Sequence, residues 1–252
     1  GNGTISANGG GRAYGDGAGG RVKIEYATKD TTNPIDADKV YAHTGTGGDL
    51  GGAGTIFYKP SSQTSGDLVV DNNNNAGRDT PIPTNSFAGT LPTLTLEKVA
   101  IRGKAKVGIP EDVNLVVNGD FINTNGTFTA GTNSTVILAT TNQVRVTGSN
   151  TFYNLTCATA RKVISFEAGR TNTVNGQLYL RRVTLISTEP EMWWGLNLDK
   201  DTGSHDVRVV AVQDSDARAG QEIVAEASWD NGHNENWLFL KPVGLRFMEG
   251  RI

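Results

Sequence analysis

The sequence predicts an all-β fold: a β-helix or solenoid of stacked short strands, with a Trp-rich β cap or small β domain at the C-terminus. Segments of about four to eight residues with alternating apolar and polar side chains follow one another, separated by Asn, Gly, Thr or Pro. No stretch keeps a helical periodicity. A sandwich or a barrel uses similar segments, but these strands are short for a broad sandwich. The closely repeated Gly and Asn residues favour the corners of a coil.

The composition fits this fold class and excludes several functions. The chain has 252 residues, which is enough for one large all-β domain or two smaller ones. Its 32 glycines lie in clusters, which indicates turns rather than a uniform repeat. The net charge of −3 gives no basic field for nucleic acid, and no apolar run reaches the ~20 residues that span a bilayer. We therefore expect neither nucleic-acid binding nor membrane insertion.

Residues 1–90 are predicted to form a glycine-rich β segment. The stretches "GDGAGGRVKIEY" (Gly15–Tyr26) and "GDLGGAGTIFYK" (Gly48–Lys59) share a plan in which a glycine-rich loop leads into a short alternating strand. The glycines are expected to take φ > 0 in tight turns at the corners of the stacked strands. A phosphate-binding loop is not expected, because both stretches lack its Gly-Lys-Ser/Thr and open strands rather than helices.

Residues 91–188 are predicted to form the solenoid repeats. Short β segments such as "VNLVVNG", "STVILAT" and "KVISFEAG" follow one another there. A single turn of a coil cannot bury its apolar face, so several turns must stack and the ends must be covered. The side chains expected to point inward and to stack on those of neighbouring turns are Val163, Phe166, Val174, Leu178 and Leu180.

Residues 189–252 are predicted to form the C-terminal β cap or a small sandwich-like segment. This stretch holds three further strand candidates, "HDVRVVAVQ", "QEIVAEASW" and "NWLFL", and all four tryptophans of the chain. Buried tryptophans would close the open end of the coil. Exposed ones would stack on sugar rings, and Trp193 and Trp194 are then the candidate carbohydrate-binding residues. Both interpretations are open at this point.

Calcium is the cofactor that the sequence favours, since hard cations prefer several carboxylate, amide and carbonyl oxygens. Two loops, "QDSDARAG" and "DNGHNEN", provide such groups, and "DKDTGSHD" provides more acids. None of them matches the EF-hand pattern, and Asx turns, in which Asp or Asn bonds its own backbone, explain the same residues. The candidate ligands are Asp214, Asp216, Asp230, Asn231 and Asn234.

Several stretches resemble known repeats. "GTFTAGTNSTVILATTNQVRVTGSNTFYNLTC" with "KVISFEAGRTNTVNGQLYL", and the closing "VVAVQDSDARAGQEIVAEASWDNGHNENWLF", are similar to β-solenoid modules of very large secreted bacterial surface proteins of the adhesin-like kind. The glycine-rich stretches "SANGGGRAYGDGAGGRVKIEY" and "GGAGTIFYKPSSQTSGDLVVDNNNN" resemble segments that precede such repeats. The resemblance implies an extracellular, structural or adhesive role and no assigned chemistry.

No motif predicts an enzyme. His43, His205 and His233 lie far apart in sequence, without partners at zinc-ligand spacing, and no Gly-x-Ser-x-Gly elbow occurs. Cys157 is the one cysteine, which excludes an internal disulfide, and its apolar surroundings indicate a buried, inert thiol.

The expected function is therefore that of a non-catalytic extracellular structural protein, a cell-surface or fibre-forming module acting by assembly or adhesion. Its expected partners are copies of itself or neighbouring modules of a larger surface protein, and glycans. The alternative is a carbohydrate-binding or carbohydrate-cleaving β-helix. Glu167 with Arg170, and Arg181 with Arg182, would then be parts of an acidic and basic coil face, although a solvated charged face explains them as well.

Overall fold

The protein is a β-solenoid whose coil has three parallel faces. The computed structural model describes residues 3–11, 15–28, 37–46, 51–82, 93–140 and 143–241. Within them the strands form an eight-stranded, a ten-stranded and a seven-stranded sheet, with a two-stranded ribbon beside them. The chain visits the three sheets in turn, and one circuit makes a rung that lies on the previous rung. The fold class predicted from the sequence is confirmed.

The strands are short throughout, and the one described helical element is a 3-10 turn at Ala37–Lys39. No helix among the described residues is long and apolar enough to cross a membrane. In chain order the strands are β1 (Ile5–Ser6), β2 (Arg21–Tyr26), β3 (Val40–Tyr41), β4 (Thr55–Pro60), β5 (Asp67–Asp71), β6 (Asp79–Pro81), β7 (Thr93–Leu96), β8 (Lys98–Arg102), β9 (Lys106–Ile109), β10 (Asn114–Val117), β11 (Phe121–Thr124), β12 (Thr127–Ala130), β13 (Thr135–Leu138), β14 (Val144–Val146), β15 (Asn150–Phe152), β16 (Asn154–Cys157), β17 (Lys162–Phe166), β18 (Thr171–Val174), β19 (Gln177–Arg181), β20 (Val183–Ser187), β21 (Trp194–Leu198), β22 (Ser204–Arg208), β23 (Ala211–Val212), β24 (Ser215–Asp216), β25 (Ile223–Glu226), β26 (Trp229–Asp230) and β27 (Trp237–Leu240).

In-register pairing turns the alternation of the sequence into continuous columns of side chains. In the eight-stranded sheet, Leu115 of β10 pairs with Leu94 of β7 on one side and with Val136 of β13 on the other. All three are buried, while the residues on either side of Leu115 along β10 face outward. Each rung thus covers the apolar face that its neighbour cannot bury alone.

Aromatic side chains fill the inside of the coil. Phe121, Phe128 and Phe152 meet edge to face or tilted, with ring centroids 4.8–5.9 Å apart, and all three are buried. Farther along the coil, Phe166 stacks on Trp194 at 4.2 Å. Such pairs add about 0.5–1.5 kcal/mol beyond the area that they bury.

Four of the five side chains expected inside the coil are there, and one is not. Phe166, Val174, Leu178 and Leu180 are buried. Val163 faces outward, because alternate residues of a strand point to the same side, and in β17 Ile164 and Phe166 point into the coil. This prediction for Val163 was wrong.

Several described glycines of the N-terminal segment serve close backbone approach rather than the expected φ > 0 turns. Gly9, Gly19, Gly51 and Gly54 all have φ outside the left-handed region. A Cβ on Gly19 would overlap the carbonyl oxygen of Ala42, and Gly9 and Gly54 have the same kind of neighbour. Extended segments bonded to each other through their backbones therefore form a layer here, for example through Gly9 N–H to His43 O at 2.9 Å.

This layer adjoins the first strands of the ten-stranded sheet. β2 pairs in parallel with β4, and β4 pairs antiparallel with β5, which begins the parallel stack. A small second core of Val22, Val40, Ala42 and Ile56 lies on the outer face of this sheet. The N-terminal edge of the ten-stranded sheet is β2.

The corners of the coil are held by amides and by residues in the left-handed region. Asn150 is buried and donates from Nδ2 to Asn172 Oδ1 at 2.9 Å, while its Oδ1 accepts from Asn123 Nδ2 at 3.0 Å. These bonds connect three successive rungs inside the coil. At another corner one residue per rung has φ between 49° and 65°, namely Arg161, Arg182, Val209 and Ala227.

The Trp-rich strands lie at the C-terminal end and continue the same coil. β21 to β27 pair in register with the rungs before them, and one apolar core extends from Ala53 to Ala225. The last described strand of the eight-stranded sheet is β27, and that of the ten-stranded sheet is β26.

Candidate functional site

The C-terminal end of the coil exposes apolar side chains on strands that have one free edge within the described part of the chain. Leu238 and Leu240 of β27 are each 43% exposed, and Trp229 of β26 is 50% exposed. Trp237 and Phe239 alternate with the two leucines, pack against the core, stack on each other at 5.8 Å, and stay partly accessible. The last rung therefore has a core-facing row that no further described rung covers.

At the N-terminal edge of the ten-stranded sheet the exposed side chains are charged rather than apolar. β2 exposes Arg21, Lys23 and Glu25 on one face. Glu25 pairs with Lys23 at 3.1 Å and with Lys59 at 3.3 Å, and these hydrogen bonds hold the pKa of Glu25 below its ordinary value. Charged residues at a sheet edge oppose indiscriminate pairing, while an apolar edge strand favours it.

The two ends of the ten-stranded sheet carry opposite charges on the same face of the sheet. At the C-terminal end Asp230 pairs with the buried Val212, so both lie on the face that points into the coil. At the N-terminal end Lys23 pairs with the buried Phe57, which lies on that same face. The row of Lys23 reaches Phe166 in β17. The row of Asp230 reaches Ile164 in the same strand, so the two charges share a face but lie two positions apart in register.

The two loops proposed for calcium form corners of successive rungs, so the structure does bring them together. Asp214 is buried, with its carboxylate accepting from the backbone N–H of Glu191 at 3.2 Å and lying 2.9 Å from His233 Nδ1. Asn234 of the second loop accepts from the N–H of Ser215 at 3.0 Å in the first.

The other candidate ligands are engaged by protein donors. Asp216 accepts from the N–H and side chain of Arg218 at 2.9–3.0 Å, and that side chain holds the pKa of Asp216 below its ordinary value. Asp230 accepts from the N–H of Gly232 at 2.9 Å and from Asn234 Nδ2 at 2.6 Å. Both are Asx turns, the alternative that the sequence left open.

Asn231 is exposed at the tip of its loop and donates its backbone N–H to Val212 O at 2.9 Å. Among the described residues, no group of three or more His, Cys, Asp or Glu side chains is arranged to hold a metal ion.

The tryptophan pair proposed for sugars is divided between core and surface. Trp194 has no exposed area, stacks on Phe166 and donates from Nε1 to Gln213 O at 2.9 Å. It cannot stack on a sugar, which corrects that expectation for Trp194. Trp193 is partly exposed, but one side of its ring contacts His233 at 3.8 Å, and Arg218 lies 5.7 Å from the ring centroid.

Three of the four charged residues suggested as parts of a coil face form ion pairs. Glu167 accepts from the N–H of Gly148 at 2.6 Å and lies 3.7 Å from Arg170. Arg181 bonds Asp206 at 2.6 Å, which holds the pKa of Asp206 below its ordinary value. Arg182, the fourth residue of this set, is exposed at a corner.

The buried thiol and the buried ammonium of the chain also have structural roles. Cys157 is fully buried, and this burial raises the pKa of its thiol. Lys162 points inward and donates to the carbonyls of Ala139 and Thr140, and burial lowers the pKa of its ammonium group.

Comparison of the chain with protein-family models, with curated proteins and with solved structures found no match. The features that matter most are the edge of β27, which no other described strand covers, and the shared sheet face of Lys23 and Asp230. Sequence analysis identified "NWLFL" as a strand, but it did not identify its edge position. Only the register between rungs, which depends on contacts about 20 residues apart, gives that information.

Proposed function

We propose that this protein is a non-catalytic structural module of an extracellular or cell-surface assembly, and that copies of it stack end to end into a fibre. The observation that carries the proposal is that no other described strand covers the apolar rung at β27 or the outer edge of β26. A rung of a solenoid is stable only when a neighbour covers it, and an uncovered edge strand pairs readily with another chain. The extracellular location and the adhesin-like role rest on the resemblance of the sequence stretches given above.

Head-to-tail stacking is the arrangement that the charges support. In it, β26 of one copy adds to β2 of the next and extends the ten-stranded sheet. The face that carries Asp230 then continues into the face that carries Lys23, which places opposite charges on one face of the junction. Opposite charges across such a contact guide the orientation of the partners more than they add affinity.

Sedimentation velocity over a range of protein concentrations tests the proposal. We expect concentration-dependent growth beyond a dimer for the unmodified protein. The variant Leu238→Lys/Leu240→Lys places charges on the exposed edge strand and should keep the protein monomeric. The variant Thr156→Lys is the matched control, because it puts the same charge on the outer face of the same sheet in an internal rung.

Two results would contradict the proposal. One is a protein that stays monomeric at every concentration. The other is assembly that the double lysine variant leaves unchanged, since the contact would then lie elsewhere. Lys23→Glu gives an independent check, because it reverses a positive charge on the face of β2 that continues the face of Asp230, and it should weaken assembly without touching β27.

Calcium is part of this proposal as a stabiliser of the last corners, at the loops of Asp214 and Asp230. These carboxylates already accept protein N–H groups, so calcium binding would require their rearrangement. The test is the melting temperature of the protein with calcium and with EDTA. Equal melting temperatures would remove calcium from the account and leave the stacking proposal unaffected.

A further inference from the structure

A groove on the outside of the coil lies between the eight-stranded and the ten-stranded sheet, away from the calcium loops. Its volume is about 320 Å³, and its lining includes Arg161, Arg182, Thr184, Val209, Ala211 and Trp229. These residues belong to four consecutive rungs. Within the described part of the chain none of them takes part in an ion pair, and of the six only Arg182 was named in the sequence predictions, as part of a charged coil face.

Trp229 forms one end of this groove. It pairs with Ala211 on the outer face of β23, and Ala211 pairs with Thr184 of β20. The side chains of Ala211 and Thr184 are small, so the indole of Trp229 projects beyond them from the surface of the sheet. Trp229 is 50% exposed, which is unusual for a side chain whose burial contributes so much free energy.

The side of the groove carries uncompensated positive charge. Arg161 and Arg182 are both exposed, and their corners stack directly, with the N–H of Arg161 donating to Arg182 O at 2.9 Å. Within the described part of the chain, neither guanidinium group has an ion pair or a side-chain hydrogen bond. By contrast, the neighbouring Arg181 and Arg208 both bind Asp206. The groove lining contains no acidic side chain.

Val209 shares the left-handed corner conformation of Arg161 and Arg182 and lines the groove between Arg182 and Trp229. Its φ is 56°, a left-handed conformation that is a genuine outlier for a β-branched residue, and its side chain is 39% exposed beside Trp229. Strain of this kind persists where the surrounding structure fixes it, and it is concentrated at functional sites.

From these observations we infer that the groove binds an acidic polysaccharide, with a sugar ring on Trp229 and successive carboxylate or sulfate groups on Arg182 and Arg161. The apolar face of an indole matches the C–H face of a pyranose ring. The planar guanidinium fork matches a carboxylate or sulfate in bidentate geometry. Arginines on adjacent rungs are spaced by about 4.8 Å along the coil, which is similar to the rise of one sugar residue in an extended chain.

The test is calorimetric titration of the whole protein with three probes: oligogalacturonate, alginate oligosaccharide and heparin oligosaccharide. Fully methyl-esterified oligogalacturonate is the matched neutral probe. We expect binding of a charged probe, no binding of the ester, and affinity that falls with added salt. The carboxylated and sulfated probes together show which acidic group the arginines prefer.

Three variants locate the site. Arg182→Gln and Trp229→Ala should each weaken binding about tenfold, because each removes one strong contact at an exposed position. Arg145→Gln is the control, since Arg145 is an exposed arginine of the same sheet outside the groove. If Trp229→Ala lowers the melting temperature, Arg161→Gln replaces it as the second variant.

Several results would overturn the inference. They are no binding of any charged probe, equal binding of the methyl ester, or binding that Arg182→Gln and Arg161→Gln leave unchanged. Single-stranded DNA, which also uses aromatic stacking and positive charge, is the remaining control. Binding of DNA as tight as that of the best oligosaccharide would assign the groove to nucleic acid instead. The results for Arg161→Gln and Arg182→Gln do not bear on end-to-end stacking, because these residues lie on earlier rungs than β26 and β27.

Discussion

Replacing Asn150 by alanine tests the amide ladder that connects successive rungs inside the coil. Asn150 is 2% exposed. Its Nδ2 donates to Asn172 Oδ1 at 2.9 Å and to Thr147 O at 3.0 Å, and its Oδ1 accepts from Asn123 Nδ2 at 3.0 Å. Alanine removes every one of these bonds at once and opens a small cavity.

The loss of unfolding free energy depends on which buried polar groups are left without a hydrogen-bond partner. Asn123 Nδ2 keeps a bond to Ser149 O at 3.3 Å. Asn172 is fully buried and its Nδ2 already lacks a partner, so Asn150→Ala leaves the whole Asn172 amide unpaired. An unsatisfied buried polar group costs about 1–3 kcal/mol, so we expect a loss of about 3 kcal/mol once the Thr147 carbonyl is included.

The assay is thermal unfolding followed by circular dichroism. For a chain of this size, about 3 kcal/mol corresponds to a drop of roughly 6–12 °C in the melting temperature. The neighbouring Thr151→Ala is the matched control: this side chain faces outward on the same strand, and its replacement should change stability by less than about 0.5 kcal/mol.

The double variant Asn150→Ala/Asn172→Ala should cost less than the sum of the single changes, because removing both partners leaves no orphaned amide. A loss below about 1 kcal/mol for Asn150→Ala, or strictly additive effects in the double variant, would refute this reasoning.

Three further expectations concern other parts of the coil. Val209→Asn relieves left-handed strain, so it should raise the melting temperature by the equivalent of about 1 kcal/mol, and an unchanged or lower value would show that Val209 is not strained. Because the Arg181 hydrogen bond holds the folded-state pKa of Asp206 below its unfolded value, this carboxylate stabilises the fold above the ordinary Asp pKa and loses that effect as pH falls through the folded pKa. Asp206→Asn should therefore lower the melting temperature near neutral pH, with the difference vanishing in strong acid; a difference that persists in acid would point to another cause. Cys157 should react with a thiol reagent only after denaturation, since burial raises its pKa and excludes the reagent, and rapid labelling of the native protein would contradict its place in the core.

The fold could be predicted from the sequence because each rung of a solenoid is specified by features that lie close together in the chain. Strand length, alternation and corner residues recur in each rung, so Phe166, Val174, Leu178 and Leu180 could be assigned to the core from the pattern alone. Val163 could not, because Lys162 occupies an inward position that the alternation reserves for an apolar residue. Its ammonium group binds corner carbonyls there, a contact between residues more than 20 positions apart.

The glycine-rich segment and the surface sites depend on such long-range contacts even more. A glycine-rich sequence predicts either positive φ or close backbone approach, and the sequence does not distinguish the two. The structure does so at Gly19, where the carbonyl oxygen of Ala42 leaves no room for a Cβ. Likewise, Trp229 and Arg182 lie 47 positions apart in the sequence, and only the stacking of rungs places them in one groove. Asp216 and Asp230 fit both a calcium site and Asx turns until their donors are known.

Electron cryo-microscopy of the concentrated protein tests the central claim, that the coil stacks end to end through β27 and β26. Ten strands spaced by ~4.8 Å give the ten-stranded sheet a length of about 50 Å. We therefore expect filaments with an axial repeat of about 50 Å per copy and continuous strand spacing across each junction. Single rods at every concentration, or particles limited to two copies joined at their C-terminal ends, would contradict head-to-tail stacking.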